Sequence, residues 1–514
     1  MKAYYITTPI YYVNDLPHIG HAYTTVAADA LARWRRLRGE PVFFLTGTDE
    51  HGRKIEQTAA QTGETPKELA DRVVERFHSL WQTLNVENDD FIRTTEERHI
   101  KCAQKLFKAS LDAGDIYLGE YEGWYDVREE SFVTETQMEE INKMPPEKRP
   151  NIEKIKEPCF FFKLSAYEKP LLEYYKKNPD FVMPKERMNE VRSFVESGLK
   201  DLSISRTTFS WGVRVAENPQ HVMYVWFDAL SNYLTAAGFE SDAEKFKKIW
   251  PANLHLVGKD IIRFHAVYWP AFLMSAGIEP PQRVFAHGWW TVEGEKMSKS
   301  LGNSVNPVEI ADEFGVDAFR YFMMREIPFG KDGDFSRKSL ISRINSDLAN
   351  GLGNLASRTL GMVERYFEGA VPDSDGEGCD NSTVKERVES CASGIPAAMD
   401  AIQPGKALSL LWELIAEADK FVEDSKPWEI HKKGDTEKLS AVLWTLCESL
   451  RIIAVYTYPF MPGTAENLWR KLGFEQSLKN SPQKHLSTGW GIFSAGAKVK
   501  KGDNLFNRME DETR

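Results

Sequence analysis

The chain has 514 residues, which is more than one ordinary core holds, and several domains are expected. Its 42% hydrophobic and 27% charged residues are typical of a soluble globular protein. No apolar run long enough to cross a bilayer and no secretion signal is evident, so we expect a cytoplasmic protein without a membrane partner. The net charge of −11 argues against general affinity for nucleic acid, although a local basic surface would still bind one.

Apolar strands alternate with long helices up to about residue 115. Residues 3–6 and 42–45 are predicted to be buried strands, and a helix that begins near His21 crosses between them. This order predicts a parallel βαβ arrangement, with ligands at the carboxyl ends of the strands. Residues 116–223 are charged and contain prolines, which indicates an insertion.

The α/β pattern resumes after the insertion and then gives way to helices. The short apolar runs 224–227, 254–257 and 284–287 continue it. Beyond about residue 340 no strand is predicted, and the spacing of 347–366, 405–424 and 438–472 indicates a helical bundle. The tail from about residue 484 is predicted to be loosely structured. The predicted fold class is therefore α/β: a Rossmann-like parallel-sheet domain split by an insertion and followed by an α-helical bundle.

The five cysteines are scattered, and no Cys-x-x-Cys pair occurs. An odd number without a paired framework predicts reduced, mostly buried thiols and argues against a thiolate zinc site. We therefore expect no structural metal.

Two histidines three residues apart stand where the first long helix begins. The free N–H groups and positive dipole end of a helix favour a phosphate chain, and His18 and His21 would donate hydrogen bonds to it. Gly20 between them leaves room for a nucleotide beside the backbone. Taken alone, the same pattern is also that of a capped helix with two surface histidines.

A second cationic segment lies past the middle of the chain. Lys296 and Lys299 flank a methionine and Ser298, with Gly294 before them and Gly302 after. Such a loop is suited to following a triphosphate as the site closes. In isolation, two such lysines are also typical of a solvated loop.

Two further polar stretches follow predicted strands. After the strand 254–257, Gly258 leads into a helix, and Asp260 would either accept from ribose hydroxyls or cap that helix. The glycine-bounded stretch 46–52 also ends a strand, where ligand contacts are expected.

The strings PHIGH (residues 17–21) and KMSKS (296–300) resemble the two signatures of class I aminoacyl-tRNA synthetases. Within that family the chain is similar to the methionine–tRNA ligases. The similarity covers nearly the whole chain, and the matching segments are 5–12, 46–52, 224–229, 258–265, 353–358 and 426–428.

The resemblance implies ATP-dependent activation of L-methionine to methionyl-adenylate and its transfer to initiator and elongator tRNA(Met). Mg²⁺ would accompany the ATP. The implied ATP-binding residues are Tyr12, His18, Gly20, His21, Gly258, Asp260, Lys296, Ser298 and Lys299, and His18, His21, Lys296 and Lys299 among them would be catalytic. The implied methionine pocket consists of Ile10, Tyr12, Asp49, Trp226, Ala229, Tyr233, Ile261, Phe264 and His265, with Asp49 on the ammonium. Asn354, Arg358 and Trp428 would read the anticodon.

This chemistry agrees with the residues present. The attacking carboxylate is already ionised at pH 7, so catalysis needs positioning and charge stabilisation rather than a general base. A thioether makes no strong hydrogen bonds, so shape and sulfur–aromatic contacts must recognise it. Homocysteine is then a troublesome competitor, and the resemblance implies its removal by editing in the synthetic site.

The implied domains are a catalytic domain over 1–115 and 224–290 and a connective domain over 116–223. They continue with a KMSKS and stem-contact region over 291–345, an anticodon-binding bundle over 346–483 and a tail over 484–514. Many relatives carry a zinc knuckle in the connective domain, whereas here residues 125–129 replace its first cysteine pair and Cys159 is alone. The dimerising appendage of some relatives is also missing, so we expect a monomer.

Three alternative assignments agree less well with the sequence. Synthetases for isoleucine, valine and leucine carry a much larger editing insertion, and the cysteine enzyme needs zinc ligands that are missing here. A catalytically silent tRNA-binding relative would not require His18, His21, Lys296 and Lys299.

Overall fold

The structure, a computed structural model, describes residues 2–13, 17–126, 131–133, 135–292, 294–296, 305–481 and 483–510. The strands are β1 Tyr4–Tyr12, β2 Val42–Asp49, β3 Asp90–Arg93, β4 Ile116–Asp126, β5 Ser131–Val133, β6 Ile152–Phe162, β7 Val182–Met183, β8 Leu202–Ser203, β9 Ser205–Arg206, β10 Val222–Met223, β11 Leu254–Gly258, β12 Val284–His287, β13 Trp290–Val292, β14 Glu295–Lys296 and β15 Gly333–Phe335.

The α-helices are α1 Ile19–Leu37, α2 Arg53–Thr62, α3 Pro66–Thr83, α4 Glu97–Asp112, α5 Glu135–Lys143, α6 Glu168–Lys177, α7 Lys185–Glu196, α8 Val225–Leu230, α9 Asn232–Ala237, α10 Ala243–Ile249, α11 Trp269–Ser275, α12 Pro307–Phe314, α13 Val316–Arg325, α14 Arg337–Arg343, α15 Asn354–Phe367, α16 Ser382–Asp400, α17 Pro404–Ser425, α18 Pro427–Lys433, α19 Thr436–Thr457, α20 Pro462–Lys471 and α21 Gln483–Leu486. Two further segments, Phe264–Tyr268 and Ile344–Gly353, are π-helical.

The chain divides into two compact units. The first comprises residues 1–17, 41–81 and 87–287, and the second comprises 18–40, 82–86 and 288–514. The boundaries of the five segments implied by the family resemblance stay predictions.

A six-stranded parallel sheet forms the centre of the first unit. Its strand order is β3-β2-β1-β11-β12-β7, and every neighbouring pair is parallel. The strand order reverses between β1 and β11, and ligands of such sheets bind at the carboxyl ends of strands beside that point. The insertion contributes a separate antiparallel sheet, ordered β5-β4-β6-β8.

The predicted elements of the first unit are largely confirmed. The predicted strands at 3–6, 42–45, 254–257 and 284–287 correspond to β1, β2, β11 and β12. The prediction that residues 224–227 continue the α/β pattern as a strand is wrong. The Asp228 amide donates to the Tyr224 carbonyl, and the segment forms α8. A short buried apolar run does not distinguish strand from helix by its pattern.

Helices dominate the second unit. The predicted helix 405–424 corresponds to α17, and 347–366 is a π-helical turn continued by α15. The helical spacing of 438–472 corresponds to two helices, α19 and α20, because the chain breaks at Pro459. Helix α16 was not predicted.

The C-terminal tail has little regular structure yet is firmly attached to α19. Arg451 donates to the carbonyls of Ser487 and Gly489 at 2.6 and 2.8 Å, and Glu448 accepts the amides of Ile492 and Phe493. The tail is therefore held firmly by α19, and the prediction that it is loosely structured is wrong in this respect. Buried side chains of α19 supply the missing backbone partners.

By length and hydropathy alone, one helix among the described residues, α19, is apolar enough to cross a membrane, contrary to the sequence-based expectation. The apolar stretch of α19 is, however, 94% buried inside the protein. It also carries the buried ion pair Glu448–Arg451. These are features of a core helix.

Helix α1 is anchored in the second unit by buried charge. Asp29 accepts from Arg33 at 2.8 Å and from Arg320 of α13 at 2.6 Å, and all three side chains are buried. Arg320 also donates to the carbonyls of Leu84 and Phe460. A buried carboxylate shared by two guanidinium groups fixes the orientation of α1, whose first turn carries His18 and His21.

Candidate active site

The two histidines cap the N-terminus of α1, which begins at Ile19, two residues before the predicted start. The Gly20 amide donates to His18 Nδ1 at 3.1 Å, and the His18 amide donates to His21 Nδ1 at 3.2 Å. Because each Nδ1 accepts, both neutral rings carry their proton on Nε2. The rings are stacked with centroids 3.8 Å apart, and burial together with His18 holds the pKa of His21 well below its usual range.

Gly20 is required by this cap. A Cβ atom at that position would lie 2.9 Å from His18 Cε1 and 3.1 Å from its Nδ1. A side chain at position 20 would therefore push the His18 ring off the helix end. Two oriented Nε2–H donors at a helix N-terminus form a site suited to phosphate.

The second signature begins on a short hairpin. Lys296 lies in β14, whose partner β13 places Thr291 opposite it. Asp334 fixes the hairpin, since it accepts from Thr291 Oγ1 at 2.6 Å and from the Gly294 amide at 2.8 Å. Ser298 and Lys299 lie outside the described residues.

In the first unit, the segment after β11 has an irregular helical start. Gly258 ends the strand, Asp260 lies in a short 3-10 turn, and the chain continues into the π-helical turn Phe264–Tyr268. A Cβ atom on Gly258 would lie 2.5 Å from Asp260 Oδ1, so glycine there lets the carboxylate approach the strand end. Wide π-turns of this kind are frequent at functional sites.

His265 and Tyr233 form a rigid, neutral pair. His265 Nδ1 donates to the Ile261 carbonyl at 3.0 Å, so Nε2 is left to accept from Tyr233 Oη at 2.8 Å. Burial lowers the pKa of His265 to about 4. Trp226 stacks on Phe264 with centroids 3.7 Å apart. The structure thus brings together five of the nine predicted pocket residues through direct contacts.

The remaining predicted pocket residues lie on neighbouring elements. Tyr12 of β1 is paired with Asp49 of β2 in the strand register, and Ile10 is two residues before Tyr12 with its side chain half-buried. Ala229 lies in α8, where its carbonyl accepts from Asn232 at 2.6 Å. The carboxyl ends of β1 and β2 therefore carry Ile10, Tyr12 and Asp49, as predicted, and α8 carries Ala229.

Several buried polar groups of this unit are not among the individually predicted site residues. Asp228, within the apolar α8, contacts His51 and His99, and Glu50 beside Asp49 forms a bidentate pair with Arg93 at 2.6 and 3.0 Å. An acidic residue inside an otherwise apolar run is the signal that would have pointed to Asp228.

In the second unit, the structure brings the three predicted anticodon residues together. Asn354 and Arg358 of α15 both lie 3.4 Å from Asp419 Oδ1, and Arg358 also reaches Glu423 at 2.6 Å. The Arg358 guanidinium carbon lies 6.0 Å from the centre of a Trp428 ring. Asp419, the residue that joins the first two, was not predicted.

The five cysteines are unpaired with one another and four of them are buried, as predicted, and their reduced state stays a prediction. Within the part of the chain that the structure describes, no group of three or more His, Cys, Asp or Glu residues is arranged to hold a metal ion. The predicted knuckle region lies partly outside the described residues, and the absence of zinc stays a prediction.

Comparisons with known proteins decide the family. Residues 4–149 and 147–360 match the model of "tRNA synthetases class I (M)", and residues 371–514 match the "anticodon binding domain of methionyl tRNA ligase". The chain belongs to the methionine–tRNA ligase family.

Individual members of the methionine–tRNA ligase family match nearly the whole length of this chain. The methionine–tRNA ligase of Rickettsia bellii is 49% identical, over 99% of this chain and 100% of the relative. That of Caldanaerobacter subterraneus subsp. tengcongensis is also 49% identical, over 99% of this chain and 80% of the relative.

The fold of this chain agrees with a solved structure of the same family. Methionyl-tRNA synthetase of Mycobacterium tuberculosis in complex with methionyl-adenylate has a TM-score of 0.93 and 45% identity, covering 99% of this chain and 100% of that one. The predicted family and fold class are confirmed.

Proposed function

We propose that the chain charges tRNA(Met) with L-methionine in two steps. ATP activates methionine to methionyl-adenylate with release of pyrophosphate, and the methionyl group then passes to tRNA with release of AMP. Membership of the methionine–tRNA ligase family over nearly the whole chain is the observation that carries this proposal. The similarity to a structure that holds methionyl-adenylate supports the first step.

The α1 terminus supports a role in binding ATP. The Nε2–H groups of His18 and His21 would donate to phosphoryl oxygens, and the dipole of α1 adds a favourable potential there. Because neither ring needs to change its protonation, both act by stabilising charge. The other proposed ATP ligands are Tyr12, Gly20, Gly258, Asp260, Lys296, Ser298 and Lys299. Mg²⁺ would arrive bound to the ATP phosphates.

The neutral pair Tyr233–His265 supports an uncharged substrate side chain. Both nitrogens of His265 are engaged, and its lowered pKa keeps the ring neutral at pH 7. The stacked Trp226 and Phe264 offer aromatic surface to a polarisable sulfur. We propose that Ile10, Tyr12, Ala229 and Ile261 complete the pocket, and that Asp49 binds the ammonium.

The cluster on α15 supports recognition of unpaired bases. Asn354 and Arg358 would bind base edges, and Trp428 would stack on a base. In the free chain Arg358 is held by Asp419 and Glu423, so it would exchange carboxylate partners for the nucleic acid on binding. Initiator and elongator tRNA(Met) are both proposed substrates.

We further propose that the chain works in the cytoplasm as a monomer, which sedimentation at several concentrations would test. Free, mostly buried thiols agree with a reducing compartment.

Exchange of labelled pyrophosphate into ATP tests the activation step. Methionine should support exchange far better than leucine or cysteine, with homocysteine as the strongest competitor. Lys299→Ala should reduce the exchange rate by orders of magnitude while methionine binding is nearly unchanged. A catalytically silent tRNA-binding relative would show no exchange but would still bind tRNA(Met).

A further inference from the structure

Asp228 is a buried carboxylate shared by two histidines from different elements. Its Oδ2 lies 2.7 Å from His51 Nδ1, and its Oδ1 lies 2.7 Å from His99 Nε2. All three side chains are buried. His51 follows β2, His99 lies on α4 and Asp228 lies on α8, so one carboxylate joins three separate parts of the first unit.

The protonation of this group follows from its contacts. Burial acts to raise the pKa of Asp228, but His51 and His99 outweigh it and hold the pKa at about 2. The ionised carboxylate only accepts hydrogen bonds, so His51 must donate through Nδ1–H and His99 through Nε2–H. Each ring is thereby fixed in one orientation by a charge-assisted bond.

The segment around His51 has a second anchor. Trp211 Nε1 donates to the Glu50 carbonyl at 2.6 Å, and the Gly52 amide donates to the Trp211 carbonyl at 3.1 Å. The backbone on both sides of His51 is therefore held, and the His51–Asp228 bond fixes its distance from α8.

Two of the three parts that Asp228 joins, the segment after β2 and α8, carry the two ends of the proposed methionine subsite. Asp49, proposed to bind the substrate ammonium, is two residues before His51. Trp226 and Ala229, proposed to contact the side chain, flank Asp228 on α8. The spacing between the ammonium partner and the side-chain wall is thus set through one carboxylate.

We infer that Asp228, His51 and His99 are positioning residues of the methionine subsite, which hold Asp49 and α8 at the separation that the amino acid requires. This inference rests on the proposed function. It predicts a selective effect on methionine, because the three residues act through Asp49 and Trp226 rather than through the ATP ligands.

The different donor atoms of the two histidines give a test that general loss of packing would not reproduce. The amide nitrogen of Asn can replace Nδ1 of His51, and that of Gln can replace Nε2 of His99. His51→Asn should therefore retain more activity than His51→Gln, whereas His99→Gln should retain more than His99→Asn.

The experiment measures methionine-dependent pyrophosphate exchange on the full chain, with methionine and ATP varied separately. Asp228→Asn should raise KM for methionine at least tenfold and leave KM for ATP within twofold. The matched control is Asp115→Asn, which removes a carboxylate of the same unit that accepts from Tyr167 and Ser275 at 2.5 and 2.8 Å. Thermal unfolding of each variant verifies that it folds.

Equal increases in both KM values, a methionine KM that rises as much in Asp115→Asn, or no Asn/Gln preference at positions 51 and 99 would each overturn the inference. Should Asp228→Asn fail to fold, the four histidine variants decide the question. Absence of exchange in the parent chain would refute the proposed function, and this inference with it. Normal exchange in the parent with unselective variants would refute the inference alone.

Discussion

Tyr233→Phe removes one buried hydroxyl from the centre of the proposed methionine pocket. The hydroxyl donates to His265 Nε2 at 2.8 Å. The ring would keep its stacking on His255, with centroids 4.1 Å apart, and the Tyr233 carbonyl would still accept from Tyr5 Oη. The substitution therefore tests the hydroxyl, which also interacts with Thr7 and Asn232, without opening a cavity around the ring.

The magnitude follows from what is left behind. His265 Nε2 becomes a buried acceptor without its donor, which costs about 1–3 kcal/mol. Its Nδ1 stays bonded to the Ile261 carbonyl, so the ring is loosened rather than released. If about half of that cost, roughly 0.5–1.5 kcal/mol, appears in substrate binding, KM for methionine should rise about twofold to tenfold.

The measurement is the pyrophosphate exchange rate as a function of methionine and, separately, of ATP. Tyr167→Phe is the matched control, because its hydroxyl donates to Asp115 in the same unit but to no proposed pocket residue. A methionine KM that matches the control, or a parallel rise in KM for ATP, would refute the assignment of the Tyr233–His265 pair to the amino-acid subsite.

Three further predictions concern His265, Arg451 and Asp419. Because burial lowers the pKa of His265 from 6.5 to about 4, the unfolded chain takes up a proton between those values that the folded chain does not. The contribution of His265 to the free energy of unfolding should be largest above pH 6.5 and fall by about 3 kcal/mol as the pH drops to 4. In denaturant titrations, His265→Gln should make the free energy of unfolding less dependent on pH over this range. An unchanged pH dependence would contradict the assignment. Arg451→Met should lower the free energy of unfolding by about 3–5 kcal/mol, because Glu448 is left buried without its ion-pair partner. The same substitution should expose the C-terminal tail to proteolysis, and a protected tail would show that Arg451 does not hold it. Asp419→Ala should change KM for tRNA(Met) at least threefold and leave pyrophosphate exchange unchanged, since it releases Asn354 and removes one of the two carboxylates that hold Arg358. A change in exchange would place Asp419 in a different role.

The sequence predicted the elements with strong local signals. The strands that became β1, β2, β11 and β12 are apolar runs followed by glycine or polar residues, and helix α1 was recognisable from its histidines and amphipathic spacing. Local pattern failed at the run 224–227, because full burial removes the periodicity that distinguishes strand from helix. It also failed at Pro459, where a helical pattern continues across a break.

The candidate site was predictable residue by residue only through the family resemblance. Spacing alone places His18 near His21 and Asn354 near Arg358. It cannot bring Tyr233 to His265, or Asp228 to His51 and His99, because those contacts depend on how α4, α8 and the β11 segment pack on the sheet. Asp419 was missed for the same reason, since its two partners lie on another helix.

Two histidines of the proposed reaction share one physical property. Burial holds the pKa values of His21 and His265 below their usual range, so these rings are neutral at pH 7. The fixed bonds of His18, His21 and His265 assign each ring one tautomer, which suits them to orient and donate but not to exchange protons. Amino-acid activation needs no proton removed from its nucleophile, since the carboxylate is already ionised. A site of oriented neutral donors therefore matches what adenylate formation requires, whereas a reaction that depended on a histidine general base would need a ring able to titrate near pH 7.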